Sequence, residues 1–449
     1  MKKLLLLFSL FCAVQTAQAQ SSNEILQNLR ERVEVGKTNQ SIVVALIDEK
    51  GTQFVSYGKT NRSAAAKDSD ENTVFEIGSL TKVFTATLLA EAFRRGEVKL
   101  DDPISKFLPQ NVKTPMRGDR QITLLDLATH TSGLPRMPSN FASKNPANPY
   151  ADYTVAQMYD FLSSYELPRD IGKQYEYSNF GTTLLGHILS LRRKMSYEGL
   201  VKARILQPLK MDDTTITLSP ALKQRTAQGF DANGEAVSLW DFGGLGGAGA
   251  LRSTAKDMAK FIAANIGLTK TDLSADFIEA RKPLREVSAK MKIGLSWYIL
   301  PATATTGAIV WHNGGTGGFH SFAGFDAERK KGIVVLTNSS EDIDDIGIHF
   351  LNAAVPLKKI TPAVGEKILD EYVGEYELAP DFIFTITRQS DKLFAQLSGQ
   401  PRFRVFAEAE NKFYFKVVKA QIVFNRGANG AIESLTLNQD GSQTAKKIK

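Results

Sequence analysis

The spacing of hydrophobic residues differs between the two parts of the chain. Up to about residue 350, apolar positions recur mostly every three or four residues, which is typical of helices packed on a core. This pattern predicts a first helix over 23–35, two strands over 42–47 and 53–57, and four more strands between 294 and 337. Strands at both ends with helices between them indicate an α+β domain whose termini meet in one antiparallel sheet.

Beyond residue 367 the apolar positions alternate with a period of two. The runs 382–386 and 393–397 are two examples, and the pairs Ser398-Gly399 and Asn429-Gly430 supply turns between runs. Six or more short strands of this kind predict a small, closed or nearly closed antiparallel β-barrel.

We therefore expect four segments in the chain. They are a signal peptide over 1–19, an α+β domain over 20–355, a linker over 356–366 and a β-barrel domain over 367–449.

The first residues have the pattern of a secretory signal. Lys2 and Lys3 form a basic start, residues 4–14 are apolar, and Ala17-Gln18-Ala19 is a small-residue cleavage site. The apolar run is too short to span a bilayer, so we expect no transmembrane segment. We expect export across the inner membrane to the periplasm or the extracellular space.

Cysteine usage and charge exclude several kinds of site. Cys12 is the only cysteine and lies in the signal, so we expect no disulfide, thiol nucleophile or thiolate metal site in the mature chain. The formal charge is +7, and the basic residues are scattered, so no nucleic-acid partner is expected. The five histidines lack metal-binding spacing, and we expect neither a metal nor another cofactor. We expect a monomer.

The sequence pairs a hydroxyl with an amine at the start of a long apolar helix predicted from Ser79 to Arg95. Lys82 lies one helical turn after Ser79, so the two side chains share a face. The same face continues with Ala86 and Leu89, which would desolvate the amine and lower its pKa. A neutral amine beside a hydroxyl can activate it as a nucleophile. The alternative is an ordinary buried helix start.

The same spacing occurs twice more in the chain. Ser56 and Lys59 lie on a predicted strand, and Ser253 is predicted to cap a helix that begins at Thr254 and carries Lys256 on its solvated side. Only the pair Ser79 and Lys82 places the lysine in apolar surroundings.

Two further segments carry polar groups suited to chemistry. In Tyr177-Ser178-Asn179, a phenol can move protons and an amide can hold a carbonyl. The alternative is a buried tyrosine and a helix-capping asparagine. The segment 311–319 places His312 before a glycine-rich turn, where a substrate backbone could approach an apolar strand closely. The alternative is a glycine turn beside a hydrogen-bonded histidine.

Together these segments resemble the penicillin-recognising serine hydrolases, in the branch of class C β-lactamases and D-alanyl-D-alanine carboxypeptidases. The resemblance rests on the order and spacing of Ser79-x-x-Lys82, Tyr177-x-Asn179 and His312-x-Gly314, and it covers about residues 25–350. It implies a β-lactamase/transpeptidase-like fold, an antiparallel sheet flanked by helices and an all-helical region. The barrel resembles a β-rich accessory domain often fused behind such hydrolases.

The resemblance also implies a role for each residue. Ser79 would form an acyl-enzyme, Lys82 would accept or relay its proton, and Tyr177 would be the second acid/base. The implied substrate-binding residues are Asn179 for an amide side chain, His312 for a carboxylate, and Gly314 with Gly315, whose N–H would complete an oxyanion hole with that of Ser79. One departure concerns His312, because many β-lactamases have a lysine there, whose charge is fixed at neutral pH.

The function that we expect is therefore a secreted serine hydrolase that opens a β-lactam through an acyl-enzyme on Ser79. The alternatives within this class are a D-alanyl-D-alanine carboxypeptidase, a D-amino-acid peptidase and an esterase of small esters. An alternative of another class is a penicillin- or peptidoglycan-binding protein that is acylated without turnover. Gly244 to Gly249 match G-x-G-x-x-G, but no βαβ unit surrounds them, so we do not expect nucleotide binding.

Overall fold

The computed structural model describes residues 22–449, and these divide into two compact units. The first comprises the described residues up to Leu29 together with Thr38–Lys358, and the second comprises Arg30–Lys37 and Lys359–Lys449. The expected signal peptide over 1–19, which includes Cys12, lies outside the described residues. The expected linker over 356–366 stays a prediction.

The first unit mixes strands and helices along the chain. Its strands are β1 (Ser41–Asp48), β2 (Gly51–Gly58), β3 (Val74–Glu76), β4 (Met116–Arg117), β5 (Arg120–Gln121), β6 (Gly229–Phe230), β7 (Ala236–Val237), β8 (Arg252–Thr254), β9 (Arg285–Ser288), β10 (Met291–Ile293), β11 (Tyr298–Leu300), β12 (Ile309–Gly315), β13 (His320–Asp326) and β14 (Lys331–Thr337). Its α-helices are α1 (22–30), α2 (Thr81–Arg94), α3 (Leu124–Ala128), α4 (Val155–Ser164), α5 (Asn179–Arg193), α6 (Tyr197–Val201), α7 (Pro220–Arg225), α8 (Gly246–Gly249), α9 (Ala255–Asn265), α10 (Ser274–Ala280) and α11 (Asp344–Leu351). Short 3₁₀ or π turns lie at Gly78–Leu80, Ile104–Lys106, Lys202–Leu206 and Gly243–Leu245, and a further π turn, Glu31–Val35, belongs to the second unit.

Eight of these strands form one antiparallel sheet in the order β2-β1-β14-β13-β12-β11-β10-β9. The two ends of the unit meet inside the sheet, because β1 pairs with β14 from Ile42 opposite Thr337 to Ile47 opposite Gly332. This arrangement confirms the predicted α+β architecture with an antiparallel sheet.

The central strands are buried on both faces because helices cover both sides of the sheet. α9 packs against β1 and β14, and α11 packs against β13 and β14. Alternate residues of β1 accordingly belong to two apolar clusters, Val43, Ala45 and Ile47 to one and Ile42, Val44 and Leu46 to the other.

Helix α2 lies inside the unit and is buried around its whole circumference over Thr81 to Ala92. A helix of this kind needs internal partners for its polar side chains. Thr85 donates to the carbonyl of Gly247 at 2.7 Å, and Thr87 to that of Val83 at 2.8 Å. The carboxylate of Glu91 is paired with Arg204 and Arg193.

Two details differ from the sequence expectations. Thr254 caps α9 by accepting from the N–H of Asp257 at 3.1 Å, whereas we predicted Ser253 as the cap. Ser253 is held in an extended strand because it pairs opposite Phe75 in the β3–β8 ladder. The hairpin of β9 and β10 was not predicted, since its strands are three or four residues long and partly polar.

The second unit contains α12 (Glu366–Tyr372) and a closed antiparallel barrel. Its strands are β15 (Gly374–Ala379), β16 (Phe382–Gln389), β17 (Lys392–Leu397), β18 (Phe403–Ala409), β19 (Lys412–Phe415), β20 (Gln421–Arg426), β21 (Ile432–Asn438) and β22 (Ser442–Lys447). Each strand pairs with the next, and β15 closes the barrel by pairing with β22. The predicted barrel is thus confirmed, with eight strands.

The barrel core depends on aromatic side chains from both the helix and the strands. Tyr372 of α12 stacks on Phe424 of β20 with ring centroids 4.2 Å apart, and Phe413 meets Phe424 edge-on at 5.7 Å. Phe413 and Phe424 point into the barrel because alternate residues of a strand face the same side.

Among residues 22–449, no helix combines the length and the apolar composition that crossing a membrane requires.

We predict that Phe424→Ala destabilises the barrel by about 3–5 kcal/mol, because it leaves a cavity among Tyr372 and Phe413. Hydrogen-exchange mass spectrometry of peptides from 374–447 would report the loss, whereas tryptophan fluorescence would not, since Trp240, Trp297 and Trp311 all lie in the first unit. Phe382→Ala is the matched control, because that ring is 54% exposed. Equal exchange in the two variants would contradict the prediction.

Candidate active site

Ser79 lies in a 3₁₀ turn that leads directly into α2. The turn begins at Gly78, whose φ of +48° is a left-handed conformation that glycine adopts without a Cβ penalty. Ser79 remains partly exposed, whereas Lys82, one turn later, is 0% exposed. The Lys82 Nζ lies 2.9 Å from the Ser79 Oγ. The structure thus joins an accessible hydroxyl to a fully buried amine.

The Lys82 amine has a second partner in the backbone of α8. Its Nζ donates to the carbonyl of Ala248 at 2.7 Å. The last carbonyls of a helix have no partner within that helix, so α8 offers them to neighbouring groups. The hydroxyl of Thr85 likewise donates to the carbonyl of Gly247.

Glycines allow α8 to come this close. A Cβ on Gly247 would lie 3.1 Å from the Cα of Gly186 in α5, and a Cβ on Gly186 would lie 3.0 Å from the Cα of Gly247. The glycine-dense segment that matched G-x-G-x-x-G therefore serves close backbone packing.

Burial sets the protonation state of Lys82. Desolvation lowers the pKa of the amine well below its ordinary value, and the nearby positive charge of Arg136 lowers this pKa further. A lysine in this state is able to accept a proton from a neighbouring hydroxyl.

Tyr177 lies against the same pair, although it is almost a hundred residues away in sequence. Its phenol interacts with the side chain of Ser79. The Lys82 Nζ and the Arg136 Cζ each lie 5.0 Å from the centroid of its ring. Burial raises the pKa of the phenol above its ordinary value, more than the contact with Ser79 lowers it. Tyr177 is therefore protonated at neutral pH.

His130 holds the segment that carries Tyr177. It has a φ of +57°, and its Nδ1 accepts the N–H of Ser178 at 3.2 Å. Its ring lies 4.6 Å from that of Tyr177. Burial lowers the pKa of His130 well below its ordinary value, and the charge of Lys82 adds to this effect, so the ring is neutral and Nδ1 is free to accept.

Asn179 is the first residue of α5 and is partly exposed beside Tyr177. Ser178 caps the helix by accepting from the N–H of Gly181 at 2.8 Å. The N–H of Asn179 donates to the carbonyl of Arg136 at 3.1 Å, and its Nδ2 lies 3.8 Å from the Sδ of Met137. The amide therefore keeps polar atoms available for a substrate.

His312 lies in β12 and is completely buried. Its ring stacks on Tyr298 at 5.2 Å and lies 6.4 Å from that of Tyr177. Desolvation lowers its pKa to about 3, with a smaller contribution from the charge of Lys82. Its Nδ1 lies 2.5 Å from the carbonyl oxygen of Asn313. At neutral pH His312 thus carries no charge, unlike a lysine.

Gly314 and Gly315 bring β12 against the start of α2. A Cβ on Gly314 would lie 2.1 Å from the carbonyl oxygen of Ile77 and 2.7 Å from the nitrogen of Ser79. A Cβ on Gly78 would lie 2.9 Å from the nitrogen of Gly315. The absence of these side chains lets the N–H groups of Ser79 and Gly315 lie close together.

The ladder pattern sets the direction of the Gly315 N–H. Thr316 donates to the carbonyl of Phe319, so the next pair, Gly315 opposite His320, is a pair without mutual hydrogen bonds. The N–H and C=O of Gly315 therefore point away from β13. On that side β11 pairs only with Ile309–Trp311, so no described strand covers Gly315. A substrate can use this backbone.

A polar group behind β12 supports the same strand. Asp344 accepts from the Nδ2 of Asn313 at 2.5 Å, and the Nε2 of His320 lies 3.0 Å from its other oxygen. We expected no metal site, yet His320, Asp342 and Asp344 place one ligand atom each within 4.8 Å of one another. Within the described chain this group is the one cluster of such spacing, and it lies beside β12, where His320 pairs with Gly315.

The structure brings all seven predicted site residues to one place around Ser79. Three participants were not predicted, namely the carbonyl of Ala248, the ring of His130 and the guanidinium of Arg136. A backbone carbonyl leaves no signature in sequence. His130 and Arg136 lie outside the three motifs on which the resemblance rests, so those motifs did not indicate them.

Comparison with known proteins fixes the family. The model of the family described as "Beta-lactamase" matches residues 27–355. The chain belongs to the β-lactamase family. A second model, "Domain of unknown function (DUF3471)", matches residues 358–449 and thus the barrel.

Several curated relatives match over most of their length. Penicillin-binding protein 4* of Bacillus subtilis is 27% identical over 83% of this chain and 87% of its own. The D-alanyl-D-alanine-carboxypeptidase/endopeptidase AmpH of Escherichia coli is 28% identical over 76% of this chain and 92% of its own. A β-lactamase of the same organism is 27% identical over 75% and 93%. The chain is a serine hydrolase of this β-lactamase and DD-peptidase type.

Solved structures show the same fold. The β-lactamase/D-alanine carboxypeptidase from Yersinia pestis superposes with a TM-score of 0.65 at 23% identity, covering 75% of this chain and 98% of that one. A class C β-lactamase gives 0.66 at 22% identity with the same coverage. The predicted β-lactamase/transpeptidase-like fold is confirmed.

We predict that Gly314→Ala destabilises the first unit by about 1–3 kcal/mol, because its Cβ would overlap backbone atoms of Ile77 and Ser79 that cannot rotate away. Gly315→Ala is the matched control, since a Cβ there meets nothing within 4 Å. Urea unfolding followed by tryptophan fluorescence measures both. The close packing of β12 on α2 would be refuted if Gly314→Ala were as stable as Gly315→Ala.

Proposed function

We propose that this hydrolase opens the amide bond of a β-lactam through an acyl-enzyme on Ser79. The observation that carries the proposal is the contact of 2.9 Å between the Ser79 Oγ and a Lys82 amine that is fully buried and has a lowered pKa. Relatives named β-lactamase support the choice of this substrate class.

In the acylation step, neutral Lys82 takes the proton of the Ser79 hydroxyl while the oxygen attacks the amide carbonyl. The carbonyl oxygen becomes an oxyanion that the N–H groups of Ser79 and Gly315 stabilise. The C–N bond then breaks, and the leaving nitrogen receives a proton from Tyr177. Tyr177 suits this role because its raised pKa keeps it protonated, and Lys82 returns a proton to it.

In the deacylation step a water molecule replaces the leaving nitrogen. Tyr177 passes a proton of this water to Lys82 as the water attacks the ester carbon, and Ser79 regains its proton when the ester bond breaks. The pKa of Lys82 is lowered, which suits it to accept the proton, whereas that of Tyr177 is raised, which suits the phenol to pass a proton on while staying protonated.

A D-alanyl-D-alanine peptide is the second candidate substrate, and the residue type at His312 favours it, because the resemblance includes D-alanyl peptidases with a histidine at this position. A neutral, buried His312 supplies no fixed charge of the kind that a lysine gives many β-lactamases. The relative AmpH, named a D-alanyl-D-alanine-carboxypeptidase/endopeptidase, is consistent with this candidate.

We also propose that the protein works outside the cytoplasm, as the signal pattern over 1–19 indicates.

A turnover screen of the purified chain tests the substrate. It would compare a chromogenic cephalosporin, a D-alanyl-D-alanine peptide and a short p-nitrophenyl ester. We expect a penicillin to label Ser79 of the wild type covalently, which mass spectrometry would show as an adduct. Ser79→Ala should show neither the adduct nor any turnover. Turnover that survives in Ser79→Ala would overturn the proposal. An adduct on wild-type Ser79 that persists for hours would instead indicate a penicillin-binding protein without turnover.

The pH profile of acylation tests the role of Lys82. We expect the acylation rate to rise with pH as Lys82 loses its proton and then to level off, with a midpoint well below the usual lysine value of about 10.4. His312, with a pKa of about 3, stays neutral and adds no inflection between about pH 5 and 9. Stopped-flow acylation at each pH provides the measurement.

Two variants sharpen this test. Lys82→Arg, which keeps a proton at every accessible pH, should acylate at least about a hundredfold more slowly. A midpoint that disappears in His312→Gln would assign the inflection to His312 and remove Lys82 from the role of base.

A further inference from the structure

The site lacks the cations that would usually attract a negatively charged substrate. Burial lowers the pKa values of Lys82, His130 and His312, so each favours its neutral form. Arg136, by contrast, is exposed and lies beside the ring of Tyr177.

Arg136 is placed over the reacting groups. Its Cζ lies 5.0 Å from the centroid of the Tyr177 ring, whose other neighbour is the Nζ of Lys82. Its positive charge acts to lower the pKa values of several groups around Ser79, namely Lys82, His130, Tyr150, Tyr175, Tyr177 and Tyr298.

The backbone of Arg136 is anchored while its side chain remains available. The carbonyl of Arg136 accepts the N–H groups of Asn179 and Phe180 at 3.1 and 3.2 Å, which ties it to the start of α5. Among residues 22–449 its guanidinium has no ion pair and no hydrogen bond.

The arginine next to the Tyr177 segment is already paired, because Arg169 is bound to Glu176 at 2.5 Å. An unpaired guanidinium beside a catalytic pair is suited to hold a carboxylate, because its planar fork can donate two parallel hydrogen bonds.

We propose that Arg136 binds an anionic group in the acyl portion of the substrate, so that the enzyme prefers acyl groups bearing a carboxylate. The acyl portion is favoured over the leaving group because the carbonyl of Arg136 accepts the N–H of Asn179, whose side chain is expected to hold the amide side chain of the acyl group. This assignment rests on the proposed acyl-enzyme at Ser79 and adds its substrate class.

The test uses two thioesters with the same neutral leaving thiol. One acyl group ends in a para-carboxyphenyl ring and the other in a para-carboxamidophenyl ring, so they differ in charge and little in size. We expect Arg136→Gln to lower kcat/KM for the carboxylate by roughly tenfold or more relative to its effect on the carboxamide, the scale of one lost charge-assisted hydrogen bond. The carboxamide corrects for any change that the lost charge makes to Lys82 and Tyr177. Arg136→Lys should restore part of the loss, because it keeps the charge without the fork.

The matched control is Lys144→Gln, which removes an exposed cation of the following loop whose side chain does not contact Tyr177. We expect Lys144→Gln to have the wild-type kcat/KM for both thioesters. Added salt should lower the wild-type kcat/KM for the carboxylate alone, because it screens an exposed charge.

The outcomes separate the two proposals. Mass spectrometry that finds no adduct on wild-type Ser79 with either thioester would overturn the proposed acyl-enzyme and this assignment with it. Adducts with both, together with an equal effect of Arg136→Gln on the two thioesters, would overturn the assignment of Arg136 alone. A third thioester, with an uncharged acyl group and a carboxylate on its leaving thiol, tests the other side of the scissile bond. If Arg136→Gln lowered kcat/KM for this thioester alone, the assignment of Arg136 would also be overturned.

Discussion

The site depends on the burial of one amine. A charged ammonium is costly to remove from water, so the burial of Lys82 lowers the pKa of its amine and favours the neutral form. Its two hydrogen-bond partners, the Ser79 Oγ and the Ala248 carbonyl, are uncharged. A carboxylate in place of either would restore the charge and remove the base. The apolar, fully buried helix α2 is therefore a condition for the chemistry as much as for the fold.

The same principle extends to the groups around Lys82. His130 and His312 are buried and neutral, and Tyr177 is held in its protonated form. The site is thus built from uncharged donors and acceptors whose protonation states are set by desolvation. Charge enters at the edge, with Arg136, where solvent still reaches the side chain.

Close backbone contact is the second requirement of the site. Gly314 lets β12 approach the nitrogen of Ser79, and Gly186 with Gly247 lets α8 approach α5. The first contact places the N–H of Gly315 beside Ser79, and the second places the Ala248 carbonyl at Lys82. Backbone groups from three distant segments are thereby available at one serine.

The membership of the β-lactamase family agrees with this arrangement, and the barrel is a separate compact unit with its own aromatic core. Its closure required only that alternate residues be apolar along eight consecutive strands. For this reason its fold was readable from the period-two pattern, although the exact number of strands was not.

By itself, the sequence determined what is local: the helix that pairs Ser79 with Lys82 and the alternation of apolar residues along the barrel strands. These follow from spacing along a helix or a strand, because neighbours in sequence are then neighbours in space. Only the tertiary structure decided that Tyr177 reaches Ser79, that Ala248 holds Lys82, and that Arg136 is left unpaired. The contact of Tyr177 with Ser79 spans 98 positions and that of Ala248 with Lys82 spans 166. Both arise from the packing of α5 and α8 around α2, which no local pattern encodes.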